Sequence, residues 1–455
     1  MKSAKFKGLM ALSATAVFMV NIHIYGRFIL PSFQADFFFF FPPITPFSGI
    51  YVLYFVLAVL PGLLISANTT RPSDYIFLLL YFILYLPSVA FFAMYNADFD
   101  TAETFATLMF CVSFSAIQLK NLIPVRSFTF SQTPSRALRR SVLSLLVGVP
   151  ILAALLFGEY SLESLTENVY ERRRYIKEGL TDIPTFVFYI CNWLGSAIAP
   201  ILTVIGMARK KPALVIIGVM AGILSFAIST HKINALTAII TGLFYFFLRK
   251  KGGNEASPKA AILFVCLFIY FIPWLFSMVS GNILVLWTTT FRMALNNGFL
   301  AATYIELFSE LPMVFYADSF LSSFLNSPLS QPISRIAGGY VSTVEDNNAN
   351  ASFLANGFAN MGTAGMLFAS IQCMIVMWLY DIAAARKDPM VVTALTISPA
   401  LVLANTAVHT SLTSNGILLL IVMIWMMPLG GSTKRKSSKP QQPIATLDLS
   451  PSSHG

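Results

Sequence analysis

About a dozen long apolar runs divide this chain, and most of its positive charges fall in every second gap between them. Some 20 apolar residues are enough to cross a bilayer core as a helix. The runs are Gly8–Ile24, Phe47–Ser66, Tyr75–Tyr95, Thr104–Leu119, Ser141–Gly158, Ile183–Ala208, Pro212–Ile228, Ala235–Leu248, Ala260–Ser280, Phe353–Tyr380, Met390–His409 and Gly416–Pro428. One alternating set of gaps holds about 22 of the 30 Lys and Arg residues, among them Lys2, Arg71, Lys120, Arg139, Lys210, Lys250, Arg386 and Arg435. The other set holds only Arg27, Arg172, Arg173, Arg174, Lys177, Lys232, Arg292 and Arg335. Positive charge stays on the cytoplasmic side during insertion, so the first set marks the inside and both termini with it.

Composition agrees. Hydrophobic residues make up 56% of the chain, charged residues 11%, and the mean hydropathy is +0.72. The expected fold is an all-α polytopic membrane protein of about 12 transmembrane helices, with a large periplasmic loop between spans 9 and 10. Residues 1–430 read as one multi-pass domain. The tail 431–455 is rich in Lys, Ser, Pro and Gln, lacks apolar residues to fold with, and reads as disordered and cytoplasmic. The net charge of +10 is a topology signal with some attraction to anionic lipid, and needs no nucleic acid. Lys2, Lys5 and Lys7 resemble the start of a signal peptide, but His23, Tyr25 and Arg27 stand where small cleavage-site residues would be. The first span therefore reads as uncleaved. Cys111, Cys191, Cys266 and Cys373 all fall inside spans, as small apolar residues do. No outer segment has the His, Cys or Asp spacing of a metal site, so neither metal nor cofactor is expected.

Three outer segments are long. Gly26 to Pro46, with its FFFFFPP run, reads as an interfacial loop, and Glu159 to Asp182 is highly charged. Asn282 to Ser352 is the largest, and within it Leu300–Leu307 and Met313–Leu325 mix aromatic and polar residues like amphipathic helices lying on the membrane face or dipping into it. About 15 of the 20 acidic residues lie outside, leaving that face net negative. An anionic ligand there needs a local cationic pocket.

The candidates for that pocket are few. Arg172, Arg173 and Arg174 sit just before a span, and a guanidinium fork matches phosphate oxygens two at a time. The same arginines could instead pair with Glu167, Glu171 and Glu178 along one helix. His231 and Lys232 occupy a very short outer turn, where they either face the bundle interior or snorkel to the interface. Arg292 and Arg335 belong to the large outer segment, as do Glu306, Glu310, Asp318, Glu345 and Asp346. Arginines and carboxylates together suit a site that binds an anionic leaving group and deprotonates an acceptor; they equally suit a loop stapled by ion pairs. Asn356 and Asn360 share a helix face at the mouth of a span, able to cap, to bond a neighbour or to touch sugar hydroxyls. Ala355, Ala359 and Thr363 form a small-residue stripe beside them.

Two of these segments together resemble the O-antigen polymerase (Wzy) family of bacterial envelope glycosyltransferases. They are Phe291-Arg292 with Gly298 and Tyr304-Ile305-Glu306-Leu307-Phe308, and then Ala355-Asn356-Gly357-Phe358-Ala359-Asn360-Met361-Gly362-Thr363-Ala364-Gly365. The resemblance runs from about Arg292 to Val376, with faint matches at 173–175 and 229–241. It implies a GT-C-like membrane enzyme at the periplasmic face of the bacterial inner membrane. Such an enzyme joins oligosaccharide repeat units carried on undecaprenyl pyrophosphate and needs no metal; a chain-length regulator would be a further partner. Arg292, Arg335 and one of Arg172–Arg174 would then stabilise the pyrophosphate, with Tyr304, Asn356, Asn360, His231 and Lys232 contacting substrate. The base stays open among Asp182, Glu345, Asp346 and His231. The related O-antigen ligases differ in expecting a functional histidine in the large outer loop, and 282–352 contains none. A transporter or flippase of lipid-linked oligosaccharide is the competing class, against which stand the lack of a repeated half and of intramembrane ionisable residues.

Overall fold

The computed structural model describes residues 2–33, 44, 49–66, 71–95, 101–125, 135–157, 185–229, 232–249, 256–319, 324–343 and 347–427. These are helical, with one isolated bridge between Arg249 and Ala256 and no β-strand among the described residues. Six of the helices are long and apolar enough to cross a membrane: Ser3–Ser32, Ser73–Tyr95, Ala102–Leu122, Val187–Ala208, Pro258–Ser280 and Phe353–Ala384. Six shorter apolar helices, of 10 to 17 residues, lie at Gly49–Leu64, Arg140–Ala153, Pro212–Phe226, Ile233–Leu248, Pro389–Asn405 and Ile417–Met426. Each overlaps one of the apolar runs. The chain is thus an α-helical, membrane-embedded protein. Its outward faces are apolar, with Val279, Phe246 and Ile216 all exposed, as lipid contact requires.

Ser73–Tyr95 is the axis of the bundle. It is apolar all round and buried all round, the pattern of a helix with neighbours on every side. Its tyrosine hydroxyls reach neighbouring backbone: Tyr81 donates to the Ala58 carbonyl at 2.7 Å and Tyr85 to the Leu57 carbonyl at 2.8 Å. Both bonds fix Gly49–Leu64 against it.

Three helices are joined through widened turns. Tyr81–Tyr85, Cys266–Phe271 and Trp287–Leu295 are π-helical. A π-turn disturbs the regular ladder and leaves carbonyls open to other donors. The Phe82 carbonyl accepts from Tyr270 at 2.7 Å, the Ile83 carbonyl from the Asn297 amide at 3.0 Å, and the Ile269 carbonyl from Thr290. In an apolar interior each such bond removes a costly unsatisfied group.

The structure revises the expected segment boundaries. The first helix continues past Ile24 through a π-turn, Tyr25–Ile29, to Phe33, so the outer loop begins later than Gly26. The first half of the 282–352 segment is no loop. Leu284–Leu286, Trp287–Leu295 and Asn296–Glu310 follow one another as helix, and residues 297–305 are buried. Phe299 packs on Phe91 and Tyr95, which sets this helix against the central one; of the two expected placements, on the membrane face or dipping into it, the packing fits the second. Met313–Leu325 is not helical over its described residues but runs as turns. The four cysteines are unpaired thiols, with Cys111, Cys191 and Cys373 buried. The 431–455 tail and the whole of the charged 159–182 segment lie outside the described residues.

Candidate functional site

The site begins with a break in a helix. Ser352 caps Phe353–Ala384 by accepting the Ala355 amide at 3.4 Å, and the first arm runs to Asn360. Met361 then adopts φ −145°, ψ 24°, and Gly362 adopts φ 60°, ψ −146°. Only glycine enters that second region cheaply. The chain doubles back so tightly that a Cβ on Gly365 would sit 1.9 Å from the Gly357 carbonyl oxygen. The expected stripe of Ala355, Ala359 and Thr363 is therefore not continuous. The break divides it, and Gly357 against Gly365 makes the close contact instead.

The end of the first arm holds a strained turn. Phe315 and Tyr316 have φ values of 51° and 62°, and the Ala317 amide donates to the Val314 carbonyl at 3.0 Å. This is a turn of the kind that Asn and Gly normally occupy. Asn360 restrains it at two points: its backbone carbonyl accepts from Phe315 N at 3.0 Å and its Oδ1 from Tyr316 N at 2.6 Å. Asn360 Nδ2 in turn donates to the carbonyl and Oδ1 of Asn356, at 2.8 and 3.1 Å. Both side-chain atoms of Asn360, only 2% exposed, are thus committed to the fold. Asn356 is half-buried, and its Nδ2 has no partner among the described residues.

Above this turn lies a cavity of about 160 Å³. It is smaller than the pocket of a drug-sized ligand and suits one ring of a larger one. Asn356, Asn360 and Tyr316 line it, with Tyr304, Asp318, Thr406 and His409. Tyr304 donates to the Ala349 carbonyl at 2.7 Å, tying the Asn296–Glu310 helix to the strand of chain entering the broken helix. Asp318 Oδ2 accepts the Ile333 amide at 2.8 Å, where a carboxylate complements the start of the Ile333–Val341 helix. The His409 and Tyr316 rings meet edge to face at 5.7 Å. Burial lowers the His409 pKa, so its imidazole is neutral near pH 7, while burial pushes the Tyr316 hydroxyl up to about 12. Among the described residues that line it, none is Lys or Arg. Its described lining offers neutral donors and acceptors, aromatic faces and the Asp318 carboxylate.

His409 reaches this place because a helix ends earlier than expected. The Met390–His409 run stops being helical at Asn405, and Thr406 is extended at φ −150°, ψ 161°. His409 then stands on a separate short helix, Val408–Leu412. Thr406 is fixed by its own bonds to the Val402 carbonyl and to Ser411 and Asn415.

The candidate residues divide accordingly. Tyr304, Asn356 and Asn360 come together at the cavity. Arg335 stands beside the lining residue Ser334 without lining the cavity itself, and Arg292 is exposed, its guanidinium carbon 5.1 Å from the Trp287 ring centroid. Arg172, Arg173, Arg174, Asp182, His231, Glu345 and Asp346 lie outside the described residues; Lys232 opens the Lys232–Leu248 helix. Among the described residues no group of three or more His, Cys, Asp or Glu side chains is placed to hold a metal ion.

The bundle's other end is built from charge. Lys120 Nζ, fully buried, meets Asp74 Oδ1 at 2.6 Å and Asn121 Oδ1 at 3.1 Å. Asp381 accepts both the amide and the hydroxyl of Ser73, at 3.0 and 2.7 Å. Arg71 donates to the carbonyls of Lys120, Asn121 and Ile123, and Lys387 to those of Trp425 and Met427, so each cation caps the end of a helix. Charge counting places Lys120 in a loop; the fold buries it.

Sequence reasoning missed His409, Tyr316 and Thr406 as site residues and named Asp318 only as a loop carboxylate. One signal was present: 405–416 reads NTAVHTSLTSNG, a polar interruption between two apolar runs. No protein-family model, curated protein or solved structure matches this chain.

Proposed function

We propose that this chain is a membrane glycosyltransferase of the O-antigen polymerase kind, joining oligosaccharide repeat units carried on undecaprenyl pyrophosphate. The observation that carries the reading is the convergence of Tyr304 with Asn356 and Asn360 on one cavity. These residues come from the two separate segments on which the family resemblance rests. The cavity's neutral amides, hydroxyls and aromatic faces suit a sugar ring, which presents hydroxyls on its edge and C–H on its faces. In this reading the shorter apolar helices also span, giving twelve crossings of the inner membrane with both termini cytoplasmic and the cavity at the periplasmic end. Arg292 and Arg335, outside the cavity lining, would grip the pyrophosphate of the donor.

The reaction is a displacement. An acceptor hydroxyl oxygen bonds to the anomeric carbon of the donor chain and gives up its proton to a general base; the bond from that carbon to pyrophosphate oxygen breaks, and its electrons leave with the lipid pyrophosphate. Reconstitution in liposomes with a defined lipid-linked repeat unit tests this: a ladder of lengthened products is expected. Movement of the unlengthened unit across the bilayer would instead identify a flippase. A ligase reading gains from His409, because the cavity holds the histidine that the large outer loop lacks. The acceptor decides between them: transfer to lipopolysaccharide core without any ladder would identify the ligase.

A further inference from the structure

On the glycosyltransferase reading, on which the assignment rests, we infer that Trp193 and Ser196 are positioning residues. They hold one wall of the cavity and through it set the affinity for the sugar. That wall is the polar interruption 405–416 between two apolar helices, and Thr406, Ala407, His409 and Thr410 all line the cavity from it. The interruption is closed on itself. The Ser411 amide donates to the Ala407 carbonyl at 2.9 Å and the Asn415 amide to the Thr410 carbonyl at 3.1 Å. Asn415 Nδ2 donates to Thr406 Oγ1 at 3.3 Å, which brings the two ends of the loop together. Such a loop keeps its form through its own bonds, but its place depends on ties to the scaffold.

Those ties come from the Val187–Ala208 span, some 220 residues away in sequence. Trp193 Nε1 donates to the Thr413 carbonyl at 2.7 Å, and Ser196 Oγ to the Asn415 carbonyl at 2.7 Å. Gly416 follows at φ 75°, where a Cβ would come 3.0 Å from Trp193 Cδ1 and 3.1 Å from Ser196 Oγ. The end of the loop therefore sits directly on both side chains. Leu194–Ile198 is π-helical, which opens the Ser196 carbonyl to a further donor. Ser398 supplies it, from the helix that leads into Thr406. Ser196 thus holds the interruption on both flanks. Ser225 offers a comparison, because it donates to the Cys191 carbonyl of the same span at 2.6 Å, a bond not made to the loop. A wall in place only part of the time divides the affinity by the fraction in place and leaves turnover at saturation unchanged.

The test uses full-length protein in liposomes with a defined lipid-linked repeat unit. Wild type is compared with Trp193→Phe, Ser196→Ala, their combination and Ser225→Ala. Amide exchange, affinity for the lipid-linked unit and transfer rate at saturation are measured for each. Trp193→Phe keeps a ring beneath Gly416 and loses the donor; Ser196→Ala loses the hydroxyl and keeps the carbonyl that Ser398 uses. Each should speed exchange at the Ser411, Thr413, Asn415 and Gly416 amides. Each should weaken affinity roughly three- to tenfold, with the saturated rate per folded protein within about twofold of wild type. The combination should exceed either. Ser225→Ala should lower the melting temperature but leave affinity and loop exchange at wild-type values. Faster loop exchange with unchanged affinity would overturn the assignment, and so would unchanged loop exchange. A fall in rate that follows protein abundance at constant affinity would make both residues structural only. Wild-type protein that binds the unit without lengthening it would overturn the polymerase reading, while the affinities still decide the assignment. Wild-type protein that does not bind it would overturn both.

Discussion

The two ends of the helical bundle solve opposite problems. At one end Lys120, Asp74, Asp381, Arg71 and Lys387 direct their charge into the protein, onto each other and onto helix termini. At the other, the cavity is lined with amides, hydroxyls and rings, and the backbone is held in conformations that bulky residues avoid. Charge does structural work where the helices must be stapled together. The neutral polar groups and the strained backbone gather where a ligand can enter. Both ends hold a non-glycine residue at positive φ, Arg386 beside Lys387 at the one and Phe315 with Tyr316 at the other, but only the cavity end has two such aromatic residues in a row beside the break at Gly362.

The largest expected effect lies at the charged end. Lys120→Ala leaves the Asp74 carboxylate buried without its partner, which costs about 3–5 kcal/mol. Membrane-extracted protein should lose most of its abundance, or unfold at a clearly lower temperature. Combining Lys120→Met with Asp74→Leu should recover much of that loss, because a buried pair can be replaced by apolar residues without penalty. A stable Lys120→Ala protein would show that this end is held by packing and would dissolve the contrast.

Next comes the helix break. Gly362→Ala places a Cβ in a region of backbone conformation that only glycine tolerates, at about 1–3 kcal/mol. The expected phenotype is a destabilised cavity end, with faster amide exchange at 313–319 and 353–365 and little change at Ser73 or Asp381. Uniform exchange across both ends would mean that the break is not a local device. Asn360→Ala removes one acceptor from the turn and leaves the Tyr316 amide unpaired, an effect of about 1–3 kcal/mol on the same local stability. Asn360→Asp keeps the acceptor but loses the bonds to Asn356, so it should fall between wild type and Ala.

How much of this could be read from the sequence differs between the two ends as well. Span positions were legible because about 20 apolar residues in a row have few alternatives to a membrane helix. Asn356 and Asn360 were legible as polar residues at the mouth of an apolar run, and Tyr304 through the segment that carries the family resemblance. The break at Gly362 was not: NGFANMGTAG contains no proline and keeps helical spacing on both sides. Phe315 and Tyr316 carry no turn signal, since the conformation comes from Asn360, which is distant in sequence. Lys120 could be counted for topology without revealing its burial, which depends on Asp74. His409 was merged into a span because two apolar helices flank it, and only the extended Thr406 separates them.

The smallest effect probes the rim beyond the cavity. Tyr340 donates to Glu306 Oε1 at 2.8 Å and links the Ile333–Val341 and Asn296–Glu310 helices. Its hydroxyl is pushed up to about 12, first by burial, then by the bond to Glu306 and the nearby carboxylates of Glu306, Glu310 and Glu103. A folded pKa above the unfolded value of 10.0 means stability present below pH 10 and lost as pH rises toward about 12. Tyr340 is 46% exposed, so solvent screens the contribution. Tyr340→Phe should therefore change stability at neutral pH by less than about 1 kcal/mol. It should also flatten the alkaline fall in melting temperature between pH 10 and 12 without altering the cavity end's amide exchange. An effect of Tyr340→Phe as large as that of Asn360→Ala would extend the strained, ligand-facing region beyond the cavity to the rim.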